Sequence, residues 1–117
     1  MSARIEHRSP LTPAVLHILL ALADRERHGY GIMQEILANT EGQLRLGPGT
    51  LYGTIKRLIA AQLIEESDER PDPELDDVRR HYYRITEAGR KALGLETQRL
   101  ARLLAVAQSK HALDGGV

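Results

Sequence analysis

Gly47-Pro48-Gly49-Thr50-Leu51-Tyr52-Gly53-Thr54-Ile55-Lys56-Arg57-Leu58-Ile59-Ala60-Ala61-Gln62-Leu63-Ile64 reads as a helix running into a strand. Pro48 suits a first helical position, where its missing N–H and fixed φ cost nothing, and Gly47 is a tolerable N-cap. Leu51, Ile55, Leu58 and Ile59 recur at the i, i+4, i+7, i+8 spacing of one buried face. The other face carries Thr50, Tyr52, Gly53, Lys56, Arg57 and Ala60, and no acid occurs between Gly47 and Ile64. An acid-free helix with small residues such as Gly49 near its start can come close to a polyanion, as a helix in a DNA major groove must. Alone, a Lys-Arg pair on a helix surface is equally well a solvated face.

The neighbouring segments decide between these readings. Upstream, Thr12 and Pro13 open a helix in which Val15, Leu16, Ile18, Leu19, Leu20, Leu22 and Ala23 leave little polar face beyond His17. So apolar a helix requires cover on more than one side, part of it expected from a second subunit. Asp24, Arg25, Glu26 and Arg27 form a charged turn that ends it. His28-Gly29-Tyr30-Gly31 begins a second helix with Ile32, Met33, Ile36 and Leu37 on one face, stopped by Asn39 and Gly42. Leu44 and Leu46 straddle Arg45 like a short strand.

Downstream, Leu63 and Ile64 start a strand, and Val78 to Ile85 form a second after a loop from Asp68 to Asp77 marked by Pro71 and Pro73. Two strands after such a helix make a wing. Alternation puts His81, Tyr83 and Ile85 toward the core and Arg80, Tyr82 and Arg84 outward. Thr86 caps a last helix whose apolar stripe, Ala92, Leu93, Leu100, Leu103, Leu104 and Ala107, is long enough to pair with something outside the domain. The expected class is mostly α with a small β-hairpin, α+β. Its parts are a flexible arm (1–10), a winged helix-turn-helix (11–86), a dimerisation helix (87–110) and a flexible tail (111–117).

Composition narrows the function. The chain has 117 residues, about one domain's worth, and a formal net charge of zero, so charge distribution matters more than its total. With no cysteine, thiolate chemistry and cysteine metal sites are excluded; with tyrosine the only aromatic, a single-strand stacking platform is disfavoured. His7, His17, His28, His81 and His111 lack zinc-ligand spacing, and the loop acids lack the glycine and terminal glutamate of an EF-hand. No nucleophile, base and orienting acid form a recognisable arrangement, so neither an enzyme nor a cofactor is expected. The N-terminus lacks a signal peptide's apolar run and no stretch suits a membrane span, so a cytoplasmic protein is expected.

Taken in order, Leu11 to Leu22, His28-Gly29-Tyr30-Gly31, Gly49-Thr50-Leu51-Tyr52 with Lys56-Arg57-Leu58, Leu63-Ile64, and Arg80-His81-Tyr82-Tyr83-Arg84-Ile85-Thr86-Glu87-Ala88-Gly89 resemble a short PadR-family transcriptional regulator with one C-terminal helix. The likeness covers roughly residues 10 to 105 and is specific as a set. It implies a winged helix-turn-helix homodimer that represses transcription from double-stranded DNA and often releases it when a small effector binds. Carried over, it places Thr50, Tyr52, Lys56 and Arg57 at the DNA, with Tyr30 packing or touching phosphate. Gly49, Gly53, Arg79, Arg80 and Arg84 complete the candidate DNA surface. Val15, Leu19, Leu22, Leu93, Leu100, Leu103 and Leu104 are the candidate dimer contacts.

Three departures stand out. Gly53 replaces a common proline, and Gln62 a common glycine before the wing. The wing loop is acidic (Asp68, Glu69, Asp72, Glu74, Asp76, Asp77) against Arg70 alone, where family wings are usually basic. That acidity supports an alternative, a winged-helix module that binds a protein through its wing. Salt-dependent binding to random duplex DNA separates the two.

Overall fold

The Thr12 hydroxyl accepts the Val15 N–H at 3.3 Å from an extended backbone, so the first helix begins at Pro13. The computed structural model describes residues 10–71 and 79–111. Its elements are α1 (Pro13–Ala21), β1 (Arg27–His28), α2 (Gly29–Asn39), α3 (Pro48–Ala60), β2 (Ile64–Pro71), β3 (Arg79–Ile85) and α4 (Glu87–Ser109). Most of the expected arm, most of the tail, and Asp72, Glu74, Asp76 and Asp77 of the acidic loop lie outside the described residues. Among the described residues, four helices with one small antiparallel sheet make an α+β fold.

The sheet order is β1-β3-β2. Its third strand is Arg27–His28, paired with Tyr83 and Tyr82, and not the expected segment around Leu44 and Leu46. Leu46 is buried, Leu44 partly so and Arg45 exposed, so the alternation there reports burial without strand pairing. The wing is also longer than expected: β2 continues through Asp68, Glu69 and Arg70, with a register shift between Glu66 and Asp68 that leaves Ser67 as a bulge.

Tyr82 and His81 reverse their expected environments. Tyr82 is buried because the Arg70 guanidinium lies 3.7 Å from its ring centroid and the His28 ring meets it edge-on at 5.2 Å. His81 lies beyond the end of the core, exposed and paired with Glu66. On α3 the buried face is Leu51, Thr54, Ile55 and Leu58, while Ile59 is exposed. At 3.6 residues per turn, the i+3 position stays on the stripe and the i+8 position drifts off it.

One core joins Ile18, Leu19 and Leu22 to Ile32, Ile36, Leu51, Leu58, Leu63, Ile85, Ala92 and Leu93. The inner side of the first helix, Ile18, Leu19, Ala21 and Leu22, is therefore covered from within one chain, while Val15, Leu16 and Leu20 are partly buried. Leu19, Leu22 and Leu93, expected at a dimer interface, are at most 8% exposed and leave a partner almost nothing to cover.

The α3–β2 junction fixes the base of the wing. Gln62, with φ 63°, ends α3 in the left-handed region, and the Leu63 N–H returns to the Leu58 carbonyl at 3.0 Å. This conformation accounts for a glycine being common there. Thr86 then clamps the junction, donating its N–H to the Leu63 carbonyl and its hydroxyl to the Gln62 carbonyl. Gly89 must be glycine, because a Cβ there would lie 2.1 Å from the Leu63 carbonyl oxygen.

Candidate nucleic-acid interface

With its apolar face turned inward, α3 presents Pro48, Gly49, Thr50, Tyr52, Lys56 and Arg57 to solvent. Gly47 caps the helix without a side-chain bond, leaving the backbone N–H groups of the first turn open at the positive end of the helix dipole. A Cβ would meet nothing within 4 Å at Gly49, and only the Arg57 Nη1 at 3.9 Å at Gly53. The fold itself therefore demands neither glycine. Arg57 lies back along the helix, donating to the Thr54 hydroxyl at 3.2 Å, and that hydroxyl donates to the Thr50 carbonyl.

The histidine of His28-Gly29-Tyr30-Gly31 starts α2 as its N-cap. His28 Nδ1 accepts the Gly31 N–H at 3.0 Å. This leaves Tyr30 on the outer side, 46% exposed, with the Arg80 guanidinium 5.7 Å from its ring centroid, within cation–π range. Tyr52 packs over Gly29 and is 47% exposed. Behind it, Tyr83 has its pKa raised by burial first, then by Glu66 and the neighbouring Tyr52. Tyr30 and Arg80 thus come together at the start of α2, and Tyr52 joins that end of α2 to α3.

The cations fall into two groups. Among the described residues, Lys56 and Arg57 form no ion pair, and neither does Arg45, an exposed cation held between inward-facing Leu44 and Leu46 just before α3. Sequence reasoning passed over Arg45 while reading its neighbours as a strand. Arg84 is engaged instead, 2.7 Å from Glu65 and 3.6 Å from Glu26. Arg79 sits at the start of β3, beyond the side chains described. Glu26 is a further residue that the sequence did not flag, because its partners lie far along the chain.

Among the described residues no group of three His, Cys, Asp or Glu side chains could hold a metal ion, and no helix is long and apolar enough to cross a membrane.

The family model described as the transcriptional regulator PadR-like family matches residues 18–95. A transcriptional regulator of Mycobacterium tuberculosis is 41% identical over 88 residues, spanning 75% of this chain and 76% of that protein. An uncharacterised 37.1 kDa protein of a Streptomyces fradiae transposon is 40% identical over 90 residues; the match covers 77% of this chain but only 24% of that protein. Among solved structures, a PadR family transcription regulator from Clostridium difficile superposes with a TM-score of 0.68 at 22% identity, covering 84% of this chain and 97% of that one. A transcriptional regulator from Clostridium thermocellum gives 0.66 at 25% identity, covering 82% and 87%.

Proposed function

Because the chain belongs to the PadR-like family of DNA-binding transcriptional regulators, we propose that it acts as a homodimeric repressor that reads an inverted-repeat operator with α3. One observation carries the reading: the outer face of α3 bears Lys56 and Arg57 with no carboxylate paired to either among the described residues. Phosphates are the natural counter-charge for such a face, and the bare backbone at Gly49 and Gly53 allows close approach. Thr50 and Tyr52 would supply hydroxyls from the same side, and Tyr30 with Arg80 would flank them from α2 and β3.

Residues 11–86 are assigned to DNA binding and 87–110 to dimerisation. Support for the second comes from α4, whose buried stripe of Ala92, Leu93 and Glu96 continues outward as Leu100, Leu103 and Leu104, each 38–50% exposed. A two-fold pair of α3 helices would favour half-sites about one helical turn, 10–10.5 base pairs, apart. An effector of the kind the family resemblance implies would act by binding unequally to dimers of different α3 spacing. The protein-binding alternative rests on the acidic loop, whose Asp72, Glu74, Asp76 and Asp77 lie outside the described residues; of the wing acids described, Asp68 meets Arg70, Glu65 meets Arg84 and Glu66 meets His81.

Titrating the intact protein with random duplex DNA at rising salt tests the reading. Binding that weakens steeply with salt is expected, and absence of binding at low salt would refute it.

A further inference from the structure

Glu26, in the turn between α1 and β1, reaches both strands of the wing. Its Oε1 accepts from Arg70 Nη2 at 3.0 Å and from the Ser67 hydroxyl at 3.1 Å, both on β2. Its Oε2 faces Arg84 Nη1 of β3 at 3.6 Å. The two arginines are engaged elsewhere as well, Arg70 with Asp68 at 2.6 Å and Arg84 with Glu65 at 2.7 Å. Arg70 also lies over the Tyr82 ring, its Cζ 3.7 Å from the ring centroid. One carboxylate therefore sits between two guanidiniums, which is how a phosphate would be gripped.

The arrangement departs from the expectation that Arg84 is a standing DNA contact. Resting on the DNA-binding reading above, we propose that Glu26 is an internal phosphate mimic that withholds Arg70 and Arg84 from DNA and so lowers non-specific affinity. Arg45, Lys56 and Arg57 meet no such carboxylate among the described residues, so the electrostatic attraction is concentrated on α3 and the turn before it. A regulator gains discrimination this way, because what selects an operator from a genome is the ratio of specific to non-specific binding. The pairs are partly solvated, with side-chain exposures of 33% at Glu26, 39% at Arg70 and 50% at Arg84. A neighbouring phosphate can therefore exchange with Glu26 once α3 is seated.

Random duplex DNA is titrated at several salt concentrations with the full-length protein, Glu26→Gln, Arg70→Gln with Arg84→Gln, and the triple variant. Glu26→Gln should tighten non-specific binding by up to roughly tenfold at about 50 mM salt and steepen the log–log salt slope by at most about one per arginine, because Asp68 and Glu65 keep part of their hold. Removing both arginines should change little in the wild-type chain and abolish the gain in the Glu26→Gln background. The proposal is overturned if Glu26→Gln leaves affinity and slope unchanged or reduced. It is also overturned if its gain persists in the triple variant, since lost net charge alone would then explain it. If Glu26→Gln does not fold, the arginine pair decides in the wild-type background, where a slope loss of about two would refute withholding. Either failure leaves wild-type DNA binding intact, which separates it from failure of the functional reading.

Discussion

The Tyr52 phenol of α3 lies directly over Gly29, the first residue of α2: a Cβ built at Gly29 would sit 2.2 Å from its oxygen and 2.6 Å from Cζ. Two helices thus meet through an aromatic ring on a bare backbone. Gly29→Ala should push the phenol outward. Because Tyr52 is half exposed and can swing away, a cost of about 1–2 kcal/mol is expected, toward the lower end for overpacking. Tyr52→Ala should recover part of it, and a double-mutant cycle in denaturant reads the coupling. Additive single effects would show that the ring does not set the α2–α3 contact.

The same contact shows what the sequence could and could not disclose. Thr12-Pro13 and Gly47-Pro48 announce their helices because capping is local chemistry, and the order of helices and wing strands follows from periodicity. The strand at Arg27–His28 is too short to carry a period, and its pairing with Tyr82 and Tyr83 is entirely non-local. Glu26 escapes for a related reason, since Ser67 and Arg70 lie 41 and 44 residues away. Alternation along β3 put Tyr83 and Ile85 inward and Arg84 outward, but could not show that Arg70 would close over Tyr82 or that His81 would be exposed. Among the site residues, the exposure of Lys56 and Arg57 follows from helical spacing, whereas the internal pairing of Arg84 requires the folded chain.

Lys56→Ala with Arg57→Ala should weaken DNA binding and leave thermal unfolding nearly unchanged, because both side chains are outside the core. Each cation that touches a phosphate should take about one unit from the salt slope, and one that reads a guanine should relax discrimination there by about 1–3 kcal/mol. Arg45→Ala should lower the slope by a further unit. Unchanged affinity and slope in the Lys56/Arg57 variant would remove α3 from the DNA surface.

Gln62→Gly should stabilise the protein. A left-handed φ of 63° costs a side-chain-bearing residue about 1–2 kcal/mol. Glycine relieves that but gives back part through a freer unfolded chain, so a net gain of about 0.5–1 kcal/mol is expected. Denaturant unfolding measures it, and a loss of stability would mean that the Gln62 side chain contributes something beyond the turn.

The Glu26 carboxyl is held below its ordinary value of 4.5, foremost by the hydrogen bond from Arg70; burial opposes this, and the Ser67 bond with the Arg70 and Arg84 charges adds to it. A carboxyl with a lower pKa when folded binds its proton more readily when the chain unfolds, so its contribution is complete above the unfolded value and fades as pH falls through the folded one. Wild type and Glu26→Gln should therefore differ most in Tm above about pH 5 and converge in acid. A difference that persists undiminished at low pH would assign the effect to packing, not to charge.

The outer half of α4 leads to the remaining prediction, the homodimer. Leu100, Leu103 and Leu104 are 38%, 50% and 48% exposed on the continuation of a stripe that is buried at Ala92, Leu93 and Glu96. Glu96 is itself 1% exposed, with its carboxylate held by Arg99 through bonds of 3.0 and 2.7 Å. The apolar surface to be covered therefore lies on the outer side of α4, at Leu95 and from Leu100 onward, while Leu19, Leu22 and Leu93 serve the core of one chain. Truncation after Leu93 would remove that buried carboxylate and damage the protomer, so it is a poor test. Leu100→Asp with Leu104→Asp is a clean one, because both side chains are outside the core and two charges per helix would face their copies across a two-fold axis. The wild-type protein should scatter light as a dimer of about 26 kDa, twice the 13.0 kDa chain, at micromolar concentration. The double variant should be a folded monomer that keeps weak, salt-sensitive binding to random DNA and loses most of its preference for an inverted repeat, since a single α3 reads only one half-site. A wild-type monomer in solution would sink both the dimer and the palindrome.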